Sequence, residues 1–190
     1  MKINVMTDIE TLGVDSNSTI IQIAAIAFDI ETGEHISKFN QIANIAINER
    51  PLQIEGSTLQ WWVKTDKELF AKLLTSGECS SEQMLRNFQN WLWNLSEDPK
   101  KLYLWGNGIL FDNKIIQHQM TELNLAYPIP YYNDRDVRTI LDLAASKAGV
   151  SEFDLKVRFR DDSLVKHDAF DDTVQQINLV VNCHKILMEK

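Results

Sequence analysis

Apolar residues near the beginning of the chain are arranged as in β-strands. Residues Ile3 to Asp8 predict a short buried strand. Residues Ile20 to Phe28 are almost entirely apolar and rich in β-branched side chains, which is typical of a strand buried on both faces. A turn with Gly33 at its left-handed position then leads to a third strand, from His35 to about Ala46. Three successive strands with short links predict an antiparallel meander.

The pattern after the third strand changes to the spacing of amphipathic helices. A Ser-x-x-Gln pattern at Ser57 predicts a capping box for a short helix that carries Trp61 and Trp62, and the same pattern recurs at Ser80. The apolar residues after Ser80 fall on one helical face: Met84, Leu85, Phe88, Trp91, Leu92 and Leu95.

The second half of the chain alternates between strands and helices. In order, we expect a strand over 101–105, a helix over 112–123, a short strand near Tyr131 and Tyr132, a helix over 136–148 that ends at Gly149, an irregular, mobile segment over 151–166 and a helix over 168–188. This order predicts an α/β fold with a mixed five-stranded sheet, in which the meander is followed by an αβαβα pattern and helices flank the sheet. Residues 1–190 contain no repeat or flexible linker and are expected to form one domain.

Composition and charge exclude several classes of protein. No apolar run reaches the ~20 residues that span a bilayer, and the first residues lack the pattern of a signal peptide. Cys79 and Cys183 are too few and too far apart for a zinc cluster or a disulfide framework, so we expect a cytoplasmic protein. The net charge of -8 argues against binding nucleic acid through a basic face alone, although bound cations would reverse the field of a carboxylate cluster.

Two carboxylates, Asp8 and Glu10, lie at the end of the first predicted strand. Because side chains alternate along a strand, both point to the same side of the sheet. The same Asp-x-Glu spacing recurs at Asp29 in a turn and at Asp66 at a helix start, where acidic residues are common for structural reasons. A solvated or capping role for Asp8 and Glu10 therefore remains open on position alone.

A third acidic residue, Asp112, follows the fourth strand. Standing alone it would be read first as a helix N-cap. The preceding Gly106-x-Gly108 pair resembles part of a dinucleotide-binding turn, but Phe111 occupies the third glycine position and no Gly-Lys-Ser/Thr sequence follows. We therefore reject nucleotide binding by this turn.

The last candidate pair is His167 and Asp172, at the start of the final helix. A single histidine near a helix start is usually a surface residue, and Asp168 or Asp171 is expected to cap the helix or favour its dipole. The pair becomes informative only in combination with the three earlier carboxylates.

That combination resembles the His-containing branch of the DEDD superfamily of 3′→5′ exonucleases. The carrying segments are Thr7-Asp8-Ile9-Glu10-Thr11-Leu12-Gly13, Trp105-Gly106-Asn107-Gly108-x₂-Phe111-Asp112-Asn113 and His167-Asp168-Ala169-x₂-Asp172. The Asn-Gly residues of the second segment, together with Trp61-Trp62 upstream, are most similar to the RNase T-like and phage exonuclease A-like group. The resemblance extends from residue 3 to about residue 185 and implies an RNase H-like fold and a 3′→5′ exonuclease domain.

Phosphodiester hydrolysis requires charge stabilisation and an activated water, and two hard divalent cations supply both. The carboxylates suit Mg²⁺ or Mn²⁺. We assign Asp8 as the bridging ligand, Glu10 and Asp172 to the ion on the nucleophile side, and Asp112 to the ion on the leaving-group side. His167 is assigned as the general base, because imidazole titrates near neutral pH.

Five residues are predicted to contact the substrate: Thr11, Leu12, Asn107, Phe111 and Trp61. The resemblance implies that Thr11 and Leu12 hold the 3′-terminal nucleotide, with Leu12 against the base. The aromatic residues would stack on unpaired bases, and core packing is the alternative for Trp61, Trp62 and Phe111. Four cations in the irregular segment would close over phosphates or remain solvated: Lys156, Arg158, Arg160 and Lys166.

The sequence therefore favours a metal-dependent 3′→5′ exonuclease that removes nucleoside 5′-monophosphates from the free 3′ end of single-stranded RNA or DNA. The alternative is a non-catalytic RNase H-like module that binds nucleic acid or a protein, and endonucleolytic cleavage by the same fold also remains open. A homodimer is implied by the resemblance only. The residue pattern does not distinguish ribose from deoxyribose.

Overall fold

A mixed five-stranded sheet forms the centre of the molecule in the computed structural model, which describes residues 2–189. The strands are β1 (Ile3–Thr11), β2 (Ile20–Phe28), β3 (His35–Ile42), β4 (Leu102–Gly106) and β5 (Asp134–Asp136). Their order across the sheet is β3-β2-β1-β4-β5, with β1, β2 and β3 antiparallel and β4 and β5 parallel to β1. The predicted α/β class, the meander and the five-stranded mixed sheet are confirmed.

Seven helices in the described part of the chain cover the sheet. They are α1 (Gly56–Thr65), α2 (Lys67–Thr75), α3 (Ser81–Leu95), α4 (Asp112–Glu122), α5 (Val137–Ala148), α6 (Glu152–Arg158) and α7 (Ala169–Met188). Apolar residues of α3 and α4 pack on one face of the sheet, and those of α5 and α7 pack on the other. This explains why all nine residues of β2 are buried. Between residues 2 and 189, no helix has the length and apolar character needed to cross a membrane.

The topology brings several chain segments to one edge of the sheet. Because β1, β4 and β5 are parallel, their carboxyl ends meet at this edge, which is where parallel α/β sheets commonly bind ligands. The pairing of β1 with β2 shifts register between Glu10 and Thr11, so β1 departs from regular geometry at the same place. The edge therefore gathers the ends of β1 and β4 and the start of α7.

Two strand predictions were wrong in position. Tyr131 and Tyr132 form a 3₁₀ turn after Pro130, and β5 follows as the charged segment Asp134–Asp136. The aromatic pair suggested a strand by propensity, but backbone pairing with β4 defines the strand instead. The third strand ends at Ile42 rather than near Ala46, because a 3₁₀ turn over Ile45–Ile47 follows.

The predicted start of α1 was also wrong. The helix begins at Gly56 after Glu55, and no side chain caps it. Glu55 instead accepts hydrogen bonds from the backbone N–H groups of Val14 (2.8 Å) and Asp15 (3.1 Å), and so fixes the loop after β1. At α3, Ser80 does act as the N-cap, accepting from the Gln83 N–H at 3.1 Å.

Residues 151–166 are more ordered than the sequence suggested. Ser151 and Asp154 form a reciprocal capping box that begins α6. Beyond α6, the Phe159 carbonyl accepts hydrogen bonds from Gln175 (3.0 Å) and Asn178 (2.7 Å) of α7. The prediction of an irregular segment is therefore wrong for 152–158, and side chains of α7 hold the loop that follows.

Candidate active site

Three carboxylates from distant parts of the sequence converge at the carboxyl end of β1. Asp8 and Glu10 come from β1 and Asp172 comes from the first turn of α7, and one oxygen of each lies within 4.8 Å of the others. Helix α7 packs against β1 and β2, and the N–H of its first residue, Ala169, donates to Gln22 Oε1 of β2 at 3.2 Å, so Asp172 in the first turn lies near the sheet. Three of the four predicted acidic residues thus form one cluster.

The fourth acidic residue, Asp112, is the first residue of α4 and is buried. Phe111 occupies the N-cap position, so the alternative reading of Asp112 as a helix cap is wrong. A Cβ added at Gly106 would lie 2.7 Å from the Asn113 side chain and 3.4 Å from the Asp112 carboxylate. Gly106 therefore permits the close approach of α4 to β4 that places Asp112 beside the cluster.

The carboxylates repel one another in a poorly solvated site. Burial, reinforced by the charges of Asp112 and Asp172, raises the pKa of Asp8 well above its ordinary value. Burial and the Asp8 charge do the same to the pKa of Glu10. Burial raises the pKa of Asp112 to about 7, and burial also raises the pKa of Asp172. These shifts indicate a concentration of negative charge that would be relieved by cations.

None of the four carboxylates forms an ion pair with Lys, Arg or His within residues 2–189. Burial raises the pKa values of Asp112 and Asp172, and the nearby charges of Arg138 and His167 offset this only in part. All of the charged donor atoms are carboxylate oxygens, which suit hard divalent ions such as Mg²⁺ and Mn²⁺. The donor set and its electrostatics therefore fit the divalent ions that the sequence predicted.

One residue of the site was missed by the sequence analysis. Gln176 lies one helical turn after Asp172, and its Nε2 donates a hydrogen bond to Asp8 Oδ1 at 2.7 Å. Its Oε1 is buried without a hydrogen-bond partner among the described residues. The four-residue spacing from Asp172 was a usable signal, because residues four apart share a helix face.

His167 is held close to Asp172 by its backbone. Its φ of 65° is in the left-handed region, where residues other than glycine are uncommon. Its N–H donates to Asp172 Oδ2 at 3.0 Å, while its ring meets the Trp61 ring edge-on at 4.9 Å. Asp168 caps α7, as expected. The imidazole therefore lies beside the cluster but outside the three-carboxylate group.

A cavity of about 510 Å³ adjoins Glu10 on the side of α1. Three of the predicted substrate contacts line it, namely Thr11, Trp61 and Phe111. Trp61 is 43% exposed, and its neighbour Trp62 is buried, with Nε1 donating to the Thr11 carbonyl at 3.1 Å. Core packing is thus the role of Trp62 but not of Trp61.

The two remaining predicted contacts lie elsewhere. Leu12 is only 1% exposed and packs in the core with Ile21 and Trp62. The predicted contact of its side chain with a base does not agree with this position. Asn107 is exposed at the end of β4 and does not line the cavity.

A second cavity, of about 650 Å³, lies on the other side of His167. Lys156, Arg160 and Lys166 line it together with the exposed ring of Phe153, which the sequence analysis did not single out. Arg160 pairs with Asp162 at 2.6 Å, and Arg158 lies over the Phe159 ring instead of lining the cavity.

Several solved structures share this fold. Cell-death related nuclease 4 (CRN-4) superimposes with a TM-score of 0.68 and 16% identity over 97% of this chain, which spans 64% of CRN-4. The nuclease domain of 3′hExo, a DEDDh family member bound to rAMP, gives a TM-score of 0.64 and 16% identity, with 97% and 92% of the two chains covered. An E. coli ExoI–ssDNA complex gives 0.64 and 15% identity over 98% of this chain and 40% of that one. The fold is that of RNase H-like exonucleases.

The chain belongs to the family of Rv2179c-like 3′→5′ exoribonuclease domains, which matches residues 3–184. It is also 23% identical over 193 aligned residues to the exodeoxyribonuclease of Enterobacteria phage T4, covering 90% of this chain and 84% of that protein. The resemblance to DEDD exonucleases and the assignment of the chain as a 3′→5′ exonuclease are therefore confirmed.

Proposed function

We propose that residues 1–190 act as one domain that hydrolyses phosphodiester bonds from the 3′ end of single-stranded nucleic acid and releases nucleoside 5′-monophosphates. The observation that carries this proposal is the cluster of Asp8, Glu10 and Asp172, in which no carboxylate forms an ion pair within residues 2–189 and beside which the buried Asp112 lies. A domain that only bound nucleic acid would not require this concentration of repelling carboxylates.

Two Mg²⁺ or Mn²⁺ ions per site are the proposed cofactors. Asp8 would contact both ions, Glu10 and Asp172 would hold one, and Asp112 would hold the other. When bound, the ions supply charge neutralisation for the phosphate and make water a better nucleophile. Gln176 fixes the orientation of the Asp8 carboxylate through its 2.7 Å hydrogen bond.

His167 is proposed to remove the proton from the attacking water. The water oxygen bonds to phosphorus, the bond from phosphorus to the 3′-oxygen of the penultimate nucleotide breaks, and that oxygen takes up a proton from solvent. The terminal nucleotide leaves with a 5′-phosphate, and the shortened strand has a new 3′-hydroxyl. The left-handed backbone and the N–H bond to Asp172 hold the imidazole beside the cluster for this role.

The cavity lined by Thr11, Trp61 and Phe111 is proposed to bind the terminal nucleotide. A base stacked on an aromatic ring gains ~1–3 kcal/mol, and this requires an unpaired base. The half-exposed ring of Trp61 is available for such a contact. Asn107 stays a predicted contact outside this cavity.

A 5′-labelled single strand tests the proposed activity directly. A ladder of progressively shorter products is expected, whereas internal bands would indicate an endonuclease and an intact strand would indicate a binding module. A strand that carries a 3′-phosphate should be degraded much more slowly than its 3′-hydroxyl counterpart, because the site admits a terminal nucleotide. Equal rates for the two strands would contradict entry from the 3′ end.

Single-stranded RNA is proposed as the preferred substrate. The family that matches residues 3–184 is described as a 3′→5′ exoribonuclease domain. The phage T4 relative, which is 23% identical, is an exodeoxyribonuclease. RNA and DNA strands of the same sequence, each with a 3′-hydroxyl, are expected to compete with RNA degraded faster. Faster degradation of DNA would reverse this assignment without affecting the proposed chemistry.

The cellular compartment and oligomeric state remain predictions. Fractionation of cells would test the predicted cytoplasmic location. Light scattering of the purified chain would test the predicted homodimer.

A further inference from the structure

Arg138 lies over the turn that precedes Asp112. A Cβ added at Gly108 would be 3.3 Å from the guanidinium carbon of Arg138 and 3.4 Å from one of its nitrogens. Gly108 also has a φ of 117°, which disfavours any side chain. A glycine at this position therefore leaves room for the guanidinium against the backbone of the turn.

The position of Arg138 is fixed by the start of α5. Asp136 caps α5 by accepting from the Arg138 N–H at 2.8 Å, and its other oxygen accepts from the Ile109 N–H at 3.1 Å. The same carboxylate thus joins the turn of Gly108 to the helix that carries Arg138.

The guanidinium has no hydrogen-bonding partner within residues 2–189, although its charge partly offsets the burial that raises the pKa of Asp112. Arg138 is exposed, and its side chain forms no ion pair and donates no hydrogen bond to the described part of the protein. An arginine held over a backbone turn with all its guanidinium N–H groups free can bind an oxyanion in a bidentate manner.

Arg138 and the segment that carries His167 contact elements on different sides of β1. Asp168, next to His167, lies 3.5 Å from Gln22 of β2, whereas Arg138 lies over the turn after β4. The sheet order places β1, with Asp8, between these two strands. In an in-line displacement, the attacking and leaving oxygens are on opposite sides of phosphorus. If His167 activates the attacking water, the nucleic acid upstream of the leaving oxygen passes on the side of β4.

We propose that Arg138 binds the phosphate on the 5′ side of the penultimate nucleotide, which is the first phosphate upstream of the scissile one. This inference rests on the proposed function and adds a residue that fixes the register of the strand. It assigns Arg138 to substrate binding rather than to bond cleavage.

The test removes the charge of one phosphate at a time. One strand carries an uncharged methylphosphonate at the first linkage upstream of the scissile phosphate, and a control strand carries it several linkages further upstream. For the unmodified enzyme, the near substitution should lower kcat/KM for release of the first nucleotide by roughly ten-fold or more. In Arg138→Ala that penalty should almost disappear, because the interacting guanidinium is already gone.

Three further variants sharpen the comparison. Arg138→Lys should recover part of the penalty, because it restores the charge without the fork of donors. Arg138→Gln is a second neutral variant in case the alanine protein is unstable. Arg86, which pairs with Glu49 at 3.6 Å and lines neither cavity beside His167, provides the matched control Arg86→Ala and should retain the full penalty.

Binding supplies a readout that does not depend on turnover. The affinity of Asp8→Asn protein for a fluorescent strand should fall on addition of Arg138→Ala, and the slope of log affinity against log salt should decrease by about one phosphate contact. An undiminished methylphosphonate penalty in both neutral variants would overturn the inference. Equal loss on all strands would overturn it too, because it would mean that Arg138 supports Asp112. If the unmodified enzyme releases nothing from any strand, the proposed function fails instead.

Discussion

Asp8→Asn protein is expected to lose nearly all turnover while keeping its fold. Asp8 is the one carboxylate proposed to contact both ions, so its loss should disable both. EDTA should abolish the activity of the unmodified protein, and Mg²⁺ or Mn²⁺ should restore it. The asparagine still offers an oxygen to Gln176, so the observed 2.7 Å contact need not be lost. Initial rates on a 5′-labelled strand measure the effect.

Although Asp8→Asn should lower activity, it should increase the stability of the metal-free protein above the ordinary carboxylate pH range. Because burial and neighbouring charges raise the pKa of Asp8, the folded protein holds protons more tightly than the unfolded chain. In EDTA, the free energy of unfolding of the unmodified protein should therefore fall as pH rises from the ordinary carboxylate range, and Asp112 extends this window to about pH 7. Asp8→Asn removes part of that decline, which thermal melts at several pH values would detect.

Asp29→Asn is the matched control for Asp8→Asn. Asp29 has the same Asp-x-Glu spacing, but hydrogen bonds from Thr32 and Glu31 hold it in a turn and lower its pKa. Its replacement should leave activity unchanged. Full activity of Asp8→Asn, or of the unmodified protein in EDTA, would exclude the two-ion assignment.

His167→Ala is expected to lower kcat by roughly 10²–10⁴-fold, the usual contribution of a positioned general base. Metal binding and substrate affinity should stay close to those of the unmodified protein, because His167 is not assigned as a ligand and its bond to Asp172 comes from the backbone. The acidic limb of the pH–rate profile should change, and a residual rate that rises with pH should remain. The measurement is kcat against pH at saturating Mg²⁺.

The backbone at His167 requires its own control. Alanine is disfavoured at a φ of 65°, whereas asparagine tolerates this region, so His167→Asn separates loss of the base from backbone strain. His118→Ala, which alters a histidine in the last part of α4 away from the cluster, should leave kcat unchanged. If both His167 variants keep the original kcat and profile, His167 is a surface histidine at a helix start and not the base.

Much of the site was predictable because local patterns positioned it. Alternation along β1 placed Asp8 and Glu10 on one side, and the helix start placed Asp172 in a first turn. Gln176 was missed because its spacing from Asp172 shows only that the two share a helix face, whereas its partner Asp8 is known only from the fold. Leu12 was misassigned for the same reason, since only tertiary packing shows that its side chain points into the core.

The errors in secondary structure also have tertiary causes. Asp134–Asp136 is a strand only because β4 offers backbone partners, and no propensity would select that charged segment. The position of Arg138 over Gly108 depends on a turn from one part of the chain meeting a helix start from another, which neither sequence segment shows alone.

The contact between Asp8 and Gln176 joins residues 168 positions apart, so the nuclease site cannot be complete before α7 has been synthesised. A nascent chain that stops before His167 and the start of α7 carries Asp8 and Glu10 but lacks His167 and Asp172. Contacts of such long sequence separation form late, because closing the intervening chain costs entropy before any contact compensates it. A chain that ends before α7 therefore lacks a complete site and is expected to be inactive.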